Sequence, residues 1–383
     1  VSRSLSVSES GTEQMKLYQP NEILIEQGEE HAAVVRRALV RLPHVPVRIV
    51  EKGWERDGLP GSEEDTFAAG KKRLLFTRRR SAFLEHCPAG TSGLVCCNYL
   101  VVSLISNCPM DCSYCFLQEY LASNPTLKVY TNVEDLLLQV ATAIDRHPTQ
   151  QFRVGTGELS DSLALDPVLG FSADLVPFFA VRKNALLEFK TKTNCVDGLL
   201  TLDPKDRVVV AWSMTPPAII DTEEHQTASF SARLAAARRV QAAGYKLGFH
   251  FDPLIEYPDW ERGYYDTISQ IFSTIDPGRI AWVSLGSLRM APTLRGTVRR
   301  RFPHTRILSG EQVACADGKW RTFQALRVKM YRTILRWLKD AAPQVPHYMC
   351  METAAVWEKV WGYTPNCDKD VARTLTAPNL IPA

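Results

Sequence analysis

Cys108, Cys112 and Cys115 are spaced Cys-x3-Cys-x2-Cys within the segment SNCPMDCSYCFLQEYL. Three thiolates this close on the chain can ligate three irons of one [4Fe–4S] cube, leaving the fourth iron without a protein ligand. An open iron can be chelated by a small molecule that carries an amino and a carboxylate group, and S-adenosylmethionine (SAM) carries both. One electron from such a cluster cleaves the sulfonium and yields a 5′-deoxyadenosyl radical, which abstracts a hydrogen atom. That chemistry belongs to the cofactor, and the protein supplies placement and shielding. Structural zinc usually takes four ligands in paired groups, and no fourth ligand follows here at zinc-ribbon spacing.

Chemistry of this kind needs a scaffold that brings distant residues to one rim. Strand-like runs occur at residues 99–106, 152–156, 185–192, 208–214, 247–253 and 280–287, with helical patterns such as 133–144, 231–243 and 263–275 between them. Six β–α units in sequence predict a parallel sheet with crossover helices outside, here a partial (β/α)6 TIM-like barrel of the α/β class. Its active site is expected at the C-terminal ends of the strands. The first strand ends where the cysteine motif begins. The second ends in Gly155, Thr156, Gly157 and Glu158, a GTGE run whose acid suits an ammonium and whose glycines admit close backbone approach. Lys192 ends the third strand, Ser213 the fourth, and His250 and Asp252 the fifth; Arg289 follows the sixth. Glu158, Lys192, Ser213 and His250 are therefore expected on the cofactor, and Asp252 and Arg289 on the substrate.

Additions flank the barrel. A polar, Ser-rich stretch at 1–14 reads as a tail, and 15–97 as an N-terminal α/β extension with helix 31–42, strand 46–51 and a basic helix from Phe67 to Leu84. The barrel is expected over 98–290. The remainder, 291–383, reads as a basic helix (292–302), a β-hairpin (306–323) turning at Asp317-Gly318, a long amphipathic helix (324–341), a late strand (347–352) and a helix around Trp357 and Trp361.

The chain has 383 residues, ten cysteines and a net charge of +3. No apolar run approaches the roughly 20 residues that span a bilayer, and no signal-peptide core precedes Met15, so a cytoplasmic protein away from membranes is expected. Cysteines in a reducing compartment serve metals, catalysis or inert burial. Cys87, Cys96 and Cys97 are poorly spaced for a second cluster. The charge balance demands no nucleic acid, but Lys71–Arg73, Arg78–Arg80 and Arg295, Arg299–Arg301 are local basic clusters. In the hairpin, Lys319, Trp320, Arg321 and Phe323 mix cations with stacking rings, as phosphates and an unstacked base require.

The motif, with the aromatic Phe116 after its third cysteine, resembles the radical SAM superfamily, and GTGE resembles that superfamily's Gly-Gly-Glu element, which holds the SAM amino group. From about Leu17 to the final helix the sequence also resembles the spore photoproduct lyase family, in CSYCFLQ at the cluster, SDSLALD at 160–166, Thr191-Lys192 and RFPHTR at 301–306. The resemblance implies a radical SAM DNA-repair enzyme that reverses a methylene-linked thymine dimer, with a hairpin holding the flipped lesion. It implies Ser160, Asp161, Trp320 and Arg321 at the substrate, Tyr114 in catalysis, and an electron donor such as flavodoxin or ferredoxin.

Two positions depart from the family pattern. Aligning Ser160-Asp161 and Thr191-Lys192 places the family's hydrogen-donating cysteine on Glu158, and the second of two tyrosines flanking the third cluster cysteine is Phe116. A carboxylate does not give up a hydrogen atom as a thiol does. The hydrogen is then expected from 5′-deoxyadenosine itself or from another thiol, for which Cys195 and Cys350, after the third strand and in the late strand, are the candidates. Three functions compete: a lyase acting on a DNA pyrimidine lesion, a tailoring enzyme acting on a free nucleoside (for instance a sugar-carbon epimerase), and a non-enzymatic iron–sulfur protein that binds nucleic acid. GTGE and the barrel pattern argue against the last.

Overall fold

The computed structural model describes residues 18–54, 63–87, 93–365, 371–372 and 375. The expected tail at 1–14 and parts of the loops at 52–65 and 87–97 lie outside them.

Seven parallel strands build the central sheet: β1 (Leu100–Val102), β2 (Phe152–Gly155), β3 (Ala185–Thr191), β4 (Val208–Ser213), β5 (Lys246–Leu254), β6 (Ile280–Ser287) and β7 (His347–Met349). They lie side by side in chain order, and Leu84–His86 adds an antiparallel strand beside β1. The architecture is the expected partial barrel, lengthened at one edge because the late strand pairs in parallel with β6. The central strand β4 is apolar over most of its length because both faces are covered: Val208, Val209, Val210, Ala211 and Trp212 are all buried. Helix α1 (Val133–Asp145) shows how the crossovers pack. It buries Val133, Leu136, Val140 and Ile144 at three- and four-residue spacing and carries Glu134 and Asp135 in its first turn. Helices α2 (Phe171–Ala180), α3 (Phe230–Ala242) and α4 (Trp260–Thr274) repeat the pattern around the sheet.

Two expectations at the N-terminal side are corrected. The basic helix of 67–84 is not a helix: a short one, Glu63–Gly70, gives way to the strand Arg73–Thr77. Leu74, Leu75 and Phe76 are an apolar run too short for a helix face. Pairing them between Glu22–Glu26 and Leu127–Tyr130 buries all three completely. The run 99–106 is likewise not one strand. Leu100–Val102 joins the barrel, whereas Ile105–Ser106 pairs antiparallel with Leu127–Tyr130 in the N-terminal sheet. That sheet orders as Val47–Val50, Glu22–Glu26, Arg73–Thr77, Leu127–Tyr130, Ile105–Ser106, so it borrows two strands from beyond residue 98.

On the C-terminal side, α5 (Pro292–Arg301) and α6 (Gln324–Ala341) form as expected. The hairpin strands Gln312–Ala314 and Trp320–Thr322 flank a turn at Asp317-Gly318, where Gly318 adopts φ +74°. The hairpin gains a third strand, Arg289–Met290, which ties it to the end of β6. Among the described residues no helix is long and apolar enough to cross a membrane, and the cysteines are all free thiols.

Candidate active site

The cysteine loop leaves the short strand Ile105–Ser106 and is pinned by backbone and side-chain contacts at every turn. Asn107, at φ +77°, accepts from the Cys108 amide (2.8 Å) and donates to the Pro125 carbonyl. Asp111 and Cys112 pair antiparallel with His225 and Glu224. The Gln118 side-chain amide donates to the carbonyls of Cys112 (3.2 Å), Ser113 (2.8 Å) and Cys115 (3.2 Å). The backbone's acceptors are thus turned into the loop, and the thiols are left for other partners.

Burial pushes all three thiols up, Cys108 to about 12. A buried thiolate in such surroundings is stable only beside concentrated positive charge, which the irons of a cluster provide. Among the described residues no three His, Cys, Asp or Glu side chains close around a single point as one ion needs. Three cysteine thiols on one buried loop are, by their chemistry, the donor set that a [4Fe–4S] cluster with one open iron takes.

Beside this loop lies a buried charge hub. Tyr114 and Thr215 (3.0 Å) donate hydroxyl hydrogens to Glu224, and Lys192 reaches both Tyr114 Oη (2.9 Å) and Glu224 Oε1 (3.0 Å). Arg233 closes on Glu224 Oε2 at 2.6 Å. Burial alone would raise Glu224, but Lys192 and Arg233 hold its carboxyl far below the usual range. Tyr114 is consequently locked in place against the loop. Glu224 and Arg233 escaped the sequence reading because they come from the connection after β4 and from a crossover helix, not from strand ends.

At the second strand, Gly155 lies so close to Tyr99 that a Cβ would stand 1.3 Å from the phenol oxygen. At Gly157 a Cβ would stand 2.9 Å from the Lys190 Cβ. The two glycines let the chain run tight against the wall, bringing Glu158 into reach of Lys190, Arg289, Lys319 and Asp252. Burial raises the Glu158 carboxyl, while Lys190 and Arg289 oppose the rise. Ser160 Oγ is buried without a partner, a polar atom left over at the same loop.

Other expected site residues are already committed to the protein. Asp161 accepts from the Leu163 and Ala164 amides (both 2.9 Å), Thr191 Oγ1 (2.8 Å) and the Lys192 amide (2.7 Å), so it organises the rim rather than facing a ligand. His250 lies inside the wall between Glu188 (2.7 Å) and Ser284 (2.5 Å). Ser213 is buried at the end of β4, where its carbonyl accepts from Arg233 at 2.9 Å. Asp252 and Arg289 form a two-pronged pair at 2.9 and 3.2 Å. Although burial works against it, Arg289 holds Asp252 well below the usual carboxylate range. Arg321 is buried within the hairpin, bound to Asp317 (2.6 Å) and the Met351 carbonyl (3.0 Å). Trp320 carries Arg295 4.2 Å over its ring, and Arg295 Nη1 is buried without a partner. Lys190 was missed by the sequence reading. Its signal was the alternation of Glu188 and Lys190 along an otherwise apolar strand.

The two candidate donor thiols part company. Cys195 sits on the loop after β3, its amide donating to Thr193 Oγ1 at 3.2 Å. Burial and then Asp161 push its thiol to about 11. Cys350 follows β7, its amide on the Leu285 carbonyl at 2.8 Å. Its electrostatic neighbours are Asp252, Arg289 and Lys190, which also surround Glu158.

The chain is similar in sequence and fold to known proteins. A family model described as spore photoproduct lyase fits residues 44–333. The spore photoproduct lyase of Geobacillus sp. is 28% identical over 253 residues, covering 65% of this chain and 72% of that one. That of Clostridium acetobutylicum is 23% identical over 264 residues, covering 69% and 76%. A solved spore photoproduct lyase variant, with AdoMet and dinucleoside spore photoproduct bound, superposes at TM-score 0.76 with 23% identity, over 87% of this chain and all of that one. With the family model spanning most of its length, this chain belongs to the spore photoproduct lyase family of radical SAM enzymes.

Proposed function

We propose that this protein is a radical SAM enzyme acting on a nucleotide-type substrate, a pyrimidine photoproduct of DNA, and that Cys350 returns the hydrogen atom in place of the thiol that Glu158 replaces. Cys108, Cys112 and Cys115 hold the [4Fe–4S] cluster, and SAM on its open iron supplies the one-electron chemistry that abstracts a hydrogen atom. Gly155 and Gly157 let the backbone approach the SAM amino group, and Glu158 receives it. Tyr114, locked by Lys192 and Glu224, walls the site beside the loop. Arg295 and Lys319 are cations available to phosphate, with Trp320 as a ring beside them. The reductant is a one-electron carrier of the flavodoxin or ferredoxin kind, as suits a cytoplasmic protein with free thiols.

One observation carries the reading: the cluster loop, the glycine cradle and the hairpin lie at the same end of the barrel strands, within a chain of this family. Cys350 is preferred to Cys195 because it shares Lys190, Arg289 and Asp252 with Glu158. Its S–H hydrogen passes to the product carbon radical, and the resulting thiyl recovers a hydrogen atom from the 5′-methyl group of 5′-deoxyadenosine, so atoms and electrons balance.

The experiment is turnover of the reconstituted protein in D2O, where a thiol exchanges its hydrogen with solvent. The first-turnover product of a dinucleotide photoproduct is expected to carry one deuterium, and Cys350→Ala to abolish that label while Cys195→Ala retains it. Unlabelled product from the native protein would end the role of Cys350. The displacement of the donor cysteine by Glu158 favours a second reading, tailoring of a free nucleoside. Turnover confined to nucleosides offered beside the photoproduct would establish that reading instead.

A further inference from the structure

The cluster loop is gripped from two remote parts of the chain. Asp111 lies between the first two cluster cysteines. Its Oδ1 accepts from Lys71 Nζ at 2.9 Å, and both its oxygens accept from Arg301 Nη2, at 3.1 and 2.8 Å. Lys71 also donates to the Met110 carbonyl at 2.5 Å. Arg301 Nη1 donates to the side-chain oxygen of Gln118, whose amide nitrogen holds the carbonyls of Cys112, Ser113 and Cys115. The Phe67 ring faces both cations, 4.6 Å from Lys71 Nζ and 4.8 Å from the Arg301 guanidinium, and Phe302 stands 4.9 Å from the latter. Lys71 comes from the N-terminal addition and Arg301 from the last turn of α5, so neither belongs to the barrel.

The charges in this grip do not cancel. Two buried cations face one carboxylate, and the Lys71 and Arg301 side chains are only 7% exposed. On the loop's other side, Glu224 is matched by Lys192 and Arg233, and Glu223 accepts from Ser113, Thr305 and the Arg306 amide. With Asp161 also acting on Cys108, four cations and four carboxylates surround the whole loop, so the positive surplus is local to the Lys71–Asp111–Arg301 grip. Lys71 lies within electrostatic reach of both Cys108 and Cys115. A buried surplus charge is screened little by solvent, and the potential of an iron–sulfur cluster follows the net charge around it.

We infer that Lys71 and Arg301 are positioning residues that clamp the cluster loop through Asp111 and Gln118, and that their surplus positive charge raises the cluster's reduction potential. The inference rests on the proposed cluster. Its consequence is functional: the carrier's electron enters more readily than it would in the same loop without the clamp.

Spectroelectrochemical titration of the anaerobically reconstituted full chain tests this, with iron content measured on each sample. Lys71→Met is expected to shift the cluster midpoint to more negative potential at full iron loading, and Lys71→Arg to restore the native midpoint. Asp111→Asn, which removes the single negative charge of the grip, is expected to shift it the opposite way. Opposite signs distinguish charge from loosening, since loosening would move both variants alike. Equal midpoints in the native protein, Lys71→Met and Asp111→Asn overturn the inference. If Lys71→Met fails to load iron, the sign of the Asp111→Asn shift decides alone: a positive shift supports the surplus charge, and no shift or a negative one overturns it. A native chain that takes up no iron would instead remove the function on which the inference stands.

Discussion

Within the barrel, Arg153 donates to Glu188 at 2.8 and 3.0 Å and to Tyr348 at 2.9 Å. Glu188 meets His250, and His250 meets Ser284. Two residues further along four of these strands stand Gly155, Lys190, Asp252 and Cys350, with Glu158 just beyond. In the inner ring Glu188 pairs with Arg153 and meets His250, in a space closed by Tyr99 and Trp282, which face the Arg153 guanidinium at 4.8 and 4.2 Å. In the outer ring Asp252 has Arg289, but the Glu158 carboxyl and the Lys190 ammonium form no ion pair among the described residues and meet only through the field they share. The same residue types, one step apart on the same strands, do different work. Ion pairing makes the inner ring a floor, although Arg153 Nη1 is buried without a hydrogen-bond partner, and the unpaired charges of the outer ring suit a ligand.

The sharpest break between the rings is in stability. Glu188→Ala leaves Arg153 buried without its carboxylate, and removing one partner of a buried ion pair costs about 3–5 kcal/mol. A denaturant midpoint should fall accordingly, whereas Lys190→Met should leave it within about 0.5 kcal/mol of the native value. Equal losses in both variants would erase the distinction between floor and rim.

Acid comes next. Burial and the nearby Lys190 push His250 down to about 4 from an ordinary 6.5, despite Glu188 beside it. The unfolded chain therefore binds the proton first, and stability from this group is complete above about pH 6.5 and is lost as pH falls towards 4. His250→Gln should flatten that part of the stability–pH curve. An unchanged slope between those limits would show that the imidazole is not held neutral in the floor.

How much of this was readable from the chain follows from the range of the interactions. The three closely spaced cysteines form a local pattern and the barrel strands are mostly apolar runs, so the motif and the barrel were legible. The long amphipathic helix was bounded correctly at Gln324 and Ala341 for the same reason. The strand Arg73–Thr77 was misread because its flanking cations suggested a charged helix face, and only pairing with two distant strands decides its state. His250 was placed on the right strand and Asp161 in the loop after the second strand, and both were assigned to ligands, because a sequence does not show that four donors already reach one and two partners the other. Glu224, Arg233 and the Lys71–Asp111–Arg301 contact involve residues 9 to 190 positions apart, and no local pattern announces them.

The smallest effect is the most discriminating for the rim. Glu158→Gln keeps the shape of the side chain and removes its charge. A charge-assisted hydrogen bond contributes about 1.5–3 kcal/mol, so the SAM dissociation constant should rise by about ten- to a hundredfold. The denaturant midpoint should stay put, since Glu158 has no ion-pair partner among the described residues to strand. Burial already disfavours its charge, with Lys190 and Arg289 restraining that tendency. A bound ammonium would add to their effect, so SAM binding should weaken as pH falls through the Glu158 titration and become independent of pH in the Gln variant. If the native protein and Glu158→Gln bind SAM alike across that range, the carboxylate lies outside the cradle and the outer ring owes its unpaired charges to the substrate instead.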